Sequence, residues 1–414
     1  MTHPNLATST LLLLIAVIVI GRLLSSALRH IGQPPVIGEI LAGILLGPSC
    51  LAWLWPAASE LLLPNGIASH LGVIAQLGVV LYMFQLGLEL NHTHLNGRAA
   101  RVLTISLAGM ALPFVLGAAL GVSIFSEYAG TQRNFLGFVL FVAIALSVTA
   151  LPVLARILQD HALQSTVLGG TALACAAVAD VTAWCLLSAV VAITQARPQD
   201  AIWSAVYALA FVVIALCFVR PLLLKVARRD WHPGMVAILV VGVLTAALIT
   251  EMIGLHLVFG AFVLGALIPH DSALAREFDE RFHDVTTSVL LPAFFAVTGL
   301  RLQLQLLNSW QDWALCGGII LLATFGKVAA TTLAARGMKM PWREASAMGA
   351  LMNTRGLVEL IVLNIGLELG VISPRLFAML VIMALATTLM TAPALHALGF
   401  PSRAKQRLGA NQLA

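Results

Sequence analysis

The sequence predicts an all-α polytopic membrane protein of about thirteen transmembrane helices, built as two inverted six-helix repeats with discontinuous helices. Three observations lead there. The 414 residues are 60% hydrophobic and only 10% charged, with a mean hydropathy of +0.97. The apolar runs are cut by Pro, Gly and charged residues at intervals that suit membrane spans. Two of those runs carry polar interruptions at their middles.

A soluble domain carries roughly 25% charged residues, so this chain cannot cover a globular surface with charge. A soluble enzyme, a nucleic-acid-binding domain and a disordered scaffold are excluded, and lipid is the solvent for most of it. A hydrocarbon core of about 30 Å takes about 20 apolar residues per helix, which allows roughly a dozen spans. The net charge of +5 then reflects which loops hold Lys and Arg. Cys50, Cys175, Cys185, Cys217 and Cys316 fall in or beside apolar runs without metal-ligand spacing, and read as small core residues.

The spans are placed at 6–29, 34–55, 67–90, 99–125, 134–158, 165–194, 201–226, 235–252, 254–270, 284–303, 310–335, 343–369 and 373–400. The first lacks a positive n-region, and Arg22 and Arg29 follow its apolar stretch, so it is a true span rather than a signal peptide. The eighth and ninth are separated only by the turn from Glu251 to Gly254. With the N-terminus outside and thirteen crossings, seventeen of the 23 basic residues lie at inner ends. Four, Arg133, Arg197, Arg301 and Arg375, lie at outer ends, and Lys327 and Arg355 remain inside the membrane. That asymmetry predicts an outside N-terminus and a cytoplasmic C-terminus. The expectation is one membrane domain over 1–414, with helices 1–6 over about 6–194, a linker helix at 201–226, helices 8–13 over about 235–400, and no cytoplasmic regulatory domain.

A charge near the bilayer centre costs several kcal/mol, so intramembrane ionisable residues are functional candidates. Asp180, Lys327, Arg355 and Glu359 are those residues. Glu39 sits one or two turns inside the second span, and Glu89 and Glu251 sit at helix ends, where a solvated boundary charge is the plainer reading. Asp180 is fifteen residues from one end of its span and fourteen from the other, about 22 Å at 1.5 Å per residue. Taking a carboxylate out of water favours its neutral form, so a group at this depth can take up and release protons. Carboxylate and carbonyl oxygens also suit a hard cation, so proton and cation can compete for one site. The alternative is a structural Asp paired with a basic residue of another helix. Lys327 is either that partner or a stabilising contact elsewhere. Arg355 and Glu359, four apart on one helix face, read as a structural pair.

The fifth span reads ALSVTALPVLARIL, with Ser147, Thr149 and Pro152 across its middle. The twelfth reads GALMNTRGLVELIVL, with Asn353, Thr354, Arg355 and Gly356. Pro removes a backbone donor and Gly loosens the helix, so both segments free carbonyls and amides at membrane depth. Breaks at corresponding positions of two halves point to a transport site. Spans five and twelve differ by an odd number and run in opposite directions, as two inverted repeats joined through the seventh span require.

Seven stretches carry a family resemblance: GQPPVIGEILAGILLGPS (32–49), LYMFQLGLELN (81–91), ALSVTALPVLARIL (145–158), ALACAAVADVTAW (172–184), LPAFFAVTGLRL (291–302), FGKVAATTLAAR (325–336) and NTRGLVELIVLNIG (353–366). Together they resemble the cation:proton antiporter-2 family, most of all its plant-type cation/proton exchanger branch. The resemblance implies a sodium/proton antiporter-like fold with crossed, broken helices, a homodimer with an elevator-like core movement, and exchange of Na⁺ or K⁺ for H⁺ across the cell (inner) membrane. Residue by residue, Asp180 is similar to the family's ion- and proton-binding aspartate and Lys327 to its basic residue on helix eleven. Thr149 and Pro152 match the helix-five crossing, with Ser147 beside them, and Arg355 with Glu359 matches the helix-twelve pair. Electrogenic relatives have two adjacent aspartates and the exchanger branch Asn-Asp, whereas Ala179 precedes Asp180 here. One carboxylate predicts one-for-one, electroneutral exchange, unless a Lys327 that deprotonates restores the second proton. Gln85 interrupts the apolar stretch before LGLEL. No cofactor, nucleic acid or enzymatic activity is expected. A cation channel and a sodium-coupled solute symporter are the alternatives: a channel needs no titratable carboxylate, and a symporter for an organic solute needs more polar or aromatic core side chains.

Overall fold

The computed structural model describes residues 6–29, 33, 35–64, 67–89, 99–164, 166–195, 206–207, 209–227, 234–253 and 257–400. The turn 254–256 between the eighth and ninth predicted spans, the start of the linker helix at 201–205, and Arg98, Arg197, Arg228, Arg229, Arg403, Lys405 and Arg407 of the charge asymmetry lie outside them. Among the described residues the regular structure is helical, apart from an isolated bridge between Ala129 and Ile372.

The helices are α1 (Leu6–Arg29), α2 (Pro35–Leu46), α3 (Leu51–Leu54), α4 (Pro56–Leu62), α5 (Ile67–Glu89) and α6 (Ala99–Tyr128). Next come α7 (Phe135–Ser147), α8 (Leu151–Asp160), α9 (Val167–Gln195), α10 (Leu209–Ala227), α11 (Gly234–Met252) and α12 (Leu257–Ala266). The chain continues through α13 (Ala273–Val285), α14 (Leu291–Arg301), α15 (Trp310–Gly337), α16 (Trp342–Met352), α17 (Leu357–Glu368) and α18 (Pro374–Ala397). Eleven helical stretches among the described residues are long and apolar enough to cross a membrane. The apolar helices α7 and α12 are shorter, and they fall in the fifth and ninth predicted spans.

Two local differences from the sequence reading have plain causes. The sequence predicts one helix over 34–55 for the second span, but α2 ends at Leu46 and α3 resumes at Leu51. Gly47 and Pro48 lie in the interruption, and a residue preceding proline is driven away from helical backbone. The segment 271–283 was read as a connection because its charges end the apolar run, yet it forms the amphipathic α13. Ser272 caps it by accepting from the Ala275 amide at 3.2 Å, while Leu274, Ala275 and Phe278 turn inward. Gln85 finds its purpose here, because its Nε2 donates to Asp279 Oδ1 at 3.2 Å. The Phe84 and Phe278 rings meet edge to face beside that bond, 4.8 Å apart.

The chain forms two compact units, each drawing on both halves of the sequence. The first comprises Met1–Gly21, Ala42–His92 and Val191–Leu300. Within it Gly87 of α5 lies against the α12 backbone at Phe262 and Gly265, and Gly43 of α2 against Ala296 of α14. A methyl group at either glycine would strike backbone, so these are close approaches of the kind that replace hydrophobic driving force between helices in lipid.

The second unit comprises Arg22–Leu41, Thr93–Val190 and Arg301–Ala414. In it α6 packs along α7 and α15, and Ser106 of α6 donates to the Cys175 carbonyl of α9 at 2.8 Å. A buried carboxylate ties three of its helix ends together. Asp312, fully buried in the first turn of α15, accepts from Tyr128 Oη of α6 at 3.0 Å and Ser309 Oγ at 2.7 Å. It also pairs with Arg375 of α18, whose guanidinium lies 5.3 Å over the Tyr128 ring. Arg375 is about one-third exposed, so solvent screens part of that attraction. The hydrogen bonds remain, and they predict an order of effects. Asp312→Ala should destabilise the detergent-solubilised protein by about 2 kcal/mol, and Tyr128→Phe by about 1 kcal/mol or less. Thermal unfolding of the two variants side by side checks that order.

Candidate functional site

The site lies in the second unit, where both interrupted helices meet. Proline at 152 removes the N–H that would bond the carbonyl four residues back, at Val148. Val148 is where α7 ends, with extended backbone (φ −64°, ψ 148°). The helix restarts at Leu151, so Pro152 falls in the first turn of α8, a position proline tolerates. The other interruption spans Asn353 to Gly356, between α16 and α17. Gly356 is required by contact: a β-carbon there would collide with the Val153 side chain of α8.

The two breaks satisfy one another. The Ala150 amide donates to the Thr354 carbonyl at 3.0 Å, and Thr149 Oγ1 donates to the Met352 carbonyl at 3.2 Å. Arg355 reaches back across the gap, with Nη1 donating to the Ala145 carbonyl at 2.7 Å and Nη2 to the Leu146 carbonyl. Lys327 of α15, buried ten residues from that helix's end, donates through Nζ to the Ser147 carbonyl. Three carbonyls left without helical partners at the C-terminus of α7 are thus met by two cationic side chains, where the helix dipole also favours positive charge. Arg355 is held in turn by Glu359 Oε2 at 3.1 Å, and both side chains are fully buried.

Asp180 sits in the middle of α9 and is 1% exposed. Among the described residues no side chain bonds to either of its oxygens. The Leu151 amide, first of α8, directs a backbone hydrogen bond toward the carboxylate, and the Lys327 side chain lies near it. An acidic group therefore faces the N-terminal, positive end of one half-helix, an arrangement that suits negative charge. Asn353 Oδ1 and Glu359 Oε1 are buried without partners. No group of three or more His, Cys, Asp and Glu side chains converges among the described residues. An ion bound here would depend on Asp180 together with neutral oxygens.

The predicted site residues are thus distributed as follows. Thr149, Lys327, Arg355, Glu359, Thr354 and Gly356 are joined at the two breaks. The Ser147 and Thr149 hydroxyl protons are engaged, by the Ile144 and Met352 carbonyls, so each offers an ion only its lone pairs. Arg355 is more than a local partner for Glu359, because it also secures the end of α7. Two participants from α18 are added by the structure. Thr391 accepts from the Thr354 hydroxyl at 3.4 Å. Thr388 engages the backbone: it accepts from the Arg355 amide at 3.0 Å and donates to the Arg355 carbonyl at 2.6 Å. The run TTLMT (387–391), three hydroxyls in an apolar helix, was their signal.

A family model described as "Sodium/hydrogen exchanger, transmembrane" matches residues 13–398. The chain belongs to this family of transporters. The Na(+)/H(+) antiporter NhaS4 of Synechocystis sp. is 40% identical over 402 residues, covering 93% of this chain and 97% of that protein. Cation/H(+) antiporter 19 of Arabidopsis thaliana is 38% identical over 401 residues, covering 95% and 50%, and K(+)/H(+) antiporter 1 of Saccharomyces cerevisiae is 34% identical over 375 residues, covering 87% and 43%. This exchanger thus spans nearly all of its cyanobacterial relative and about half the length of the plant and yeast ones. Its fold is similar to that of the sodium proton antiporter MjNhaP1 from Methanocaldococcus jannaschii, with a TM-score of 0.72, 14% identity and coverage of 95% and 98%.

The bond pattern ranks the two members of the buried pair. Arg355→Gln strands two α7 carbonyls and the Glu359 charge, and should destabilise the exchanger by about 3 kcal/mol or more. Glu359→Gln leaves Arg355 its carbonyl partners and should cost less. Arg355→Lys should not rescue, because an ammonium lacks the planar fork that reaches both carbonyls. Thermal unfolding of the three purified variants reads this ranking.

Proposed function

We propose that this exchanger is a secondary active antiporter that trades Na⁺ or K⁺ for H⁺, with proton and cation competing for Asp180. The observation that carries the reading is a carboxylate at the middle of a membrane helix with no side chain bonded to either oxygen, facing only a half-helix amide, beside two interrupted helices whose other polar groups are mostly engaged. A structural aspartate would have its oxygens satisfied, as Asp312 does. An exchanging one must be able to give up a proton and receive an ion in its place. Relatives named as Na⁺/H⁺, K⁺/H⁺ and cation/H⁺ antiporters support the reaction class.

In this reading Lys327 keeps its hold on the Ser147 carbonyl and supplies positive charge near Asp180. That charge is balanced when Asp180 is ionised and left over when the carboxylate is neutralised by a proton or covered by a cation. Since Ala179 leaves Asp180 as the one carboxylate of its motif, exchange is one-for-one and electroneutral. Access alternates by an elevator-like movement within a homodimer, in a single transport domain of two inverted repeats. The protein lies in the cell (inner) membrane, with its N-terminus outside and its C-terminus cytoplasmic, as the charge asymmetry requires.

In proteoliposomes of the full chain with an acid lumen, adding Na⁺ or K⁺ outside should drive proton efflux. Asp180→Asn should abolish it, and full cation-dependent proton movement in that variant would overturn the reading. Valinomycin with K⁺ should leave the Na⁺-driven rate unchanged if the exchange is electroneutral. Because protons and cations compete, the half-saturating cation concentration should rise as pH falls, by up to tenfold per unit where Asp180 is mostly protonated. Initial rates over a pH series measure that slope.

A further inference from the structure

Three threonines of α18, Thr387, Thr388 and Thr391, are buried in an apolar helix, and their hydroxyls are not used alike. A threonine inside a membrane helix commonly returns its hydroxyl to the carbonyl four residues back. Thr387 does so, donating to Met383 at 2.9 Å and sharing the bond with Ala384 at 3.1 Å. Thr391 donates to Thr387 at 3.2 Å and also accepts from the Thr354 hydroxyl at 3.4 Å, a contact with a side chain of the break rather than with its backbone. Thr388 does not. Its hydroxyl accepts from the Arg355 amide and donates to the Arg355 carbonyl, so both backbone groups of one residue in the α16–α17 break close on one side chain.

The Arg355 nitrogen shares a planar peptide unit with the Thr354 carbonyl. A hydroxyl that fixes the direction of that N–H also fixes the carbonyl on the opposite edge. This carbonyl is the acceptor of the Ala150 amide from the other break. Ala150 is followed by Leu151, whose amide neighbours Asp180. The chain of contacts therefore runs from Thr388 through one rigid peptide plane to the backbone that faces the Asp180 carboxylate.

We propose that Thr388 is a positioning residue for the Asp180 site: by clamping the Thr354–Arg355 peptide it sets where the amides of Ala150 and Leu151 point, and with them the affinity for the transported cation. The inference rests on Asp180 being the exchange site. Thr388 touches the ion only through this backbone. Removing its hydroxyl leaves the Arg355 amide and carbonyl without that partner, so the peptide is held only from the Thr354 side, which loosens the far end of the chain of contacts at Asp180.

The test uses the full chain in proteoliposomes, with Na⁺ and K⁺ as the probes and three variants. Thr388→Val keeps the shape and removes the hydroxyl, Thr388→Ser keeps the hydroxyl, and Thr387→Val removes a hydroxyl that serves only its own helix. Thr388→Val should raise the half-saturating cation concentration roughly tenfold and displace the pH profile of the rate, with the maximal rate per folded protein changed much less. Thr388→Ser should restore both, and Thr387→Val should change neither. A Thr388→Val variant with lower thermal stability but an unchanged half-saturating concentration and pH profile would reduce Thr388 to a structural role and overturn the proposal. So would a Thr388→Ser variant as impaired as Thr388→Val. Should Thr388→Val fail to fold, Thr388→Cys, with a weaker hydrogen-bonding group in the same place, is read by the same criteria. Exchange that persists in Asp180→Asn with Thr388 intact would instead overturn the site assignment, and that result is separable because it appears without any change at Thr388.

Discussion

Backbone polar groups at membrane depth have no water to bond, so each must find a partner inside the protein. Interrupting a helix there is costly unless something meets the exposed carbonyls and amides, and this chain interrupts two. Its solution is to make each break the partner of the other. The Thr354 carbonyl takes the Ala150 amide, and the Met352 carbonyl takes the Thr149 hydroxyl. Two cationic side chains cover the end of α7, and one threonine of α18 closes the gap at Arg355. Charges that would be unfavourable alone in lipid are held here because they do the work of missing helical hydrogen bonds.

Among the described residues, Asp180 stands apart from the other buried charges of the unit. Arg355, Glu359, Lys327 and Asp312 each have at least one partner with defined geometry. Asp180 has no side chain bonded to either oxygen, and only the Leu151 amide directed toward it. A site that must release its occupant gains from such an arrangement, since a carboxylate already satisfied by fixed donors would have nothing to offer an ion. Lys327 belongs to both sets: it is bonded to the break and still close enough to influence Asp180.

Much of this was legible in the sequence, for identifiable reasons. Helices in lipid are long and uninterrupted, so the exceptions at Pro152 and at Asn353–Gly356 stand out, and so do Asp180 and Lys327 against an apolar background. Periodicity within one segment also placed Arg355 and Glu359 on one face. Contacts between segments were less visible. Nothing in the order of residues says that Arg355 grips carbonyls some 210 positions away, or that Thr388 rather than Thr387 faces the break. The amphipathic α13 was missed because its charged face ended the apolar run that marked out spans, although its inward Leu274, Ala275 and Phe278 keep a helical spacing. Gln85 looked unexplained for the same reason: its partner, Asp279, lies on that helix.

The central claim is that a cation and a proton exclude each other at Asp180, and it can be examined without any membrane gradient. Purified protein in weakly buffered detergent solution is titrated with Na⁺ and then K⁺ while proton release is followed by a pH indicator and heat by calorimetry. The account predicts up to one proton released per cation bound, approaching one as the starting pH is lowered, and no release from Asp180→Asn. Saturable cation binding to the wild-type protein with no proton release anywhere in that pH series would contradict it.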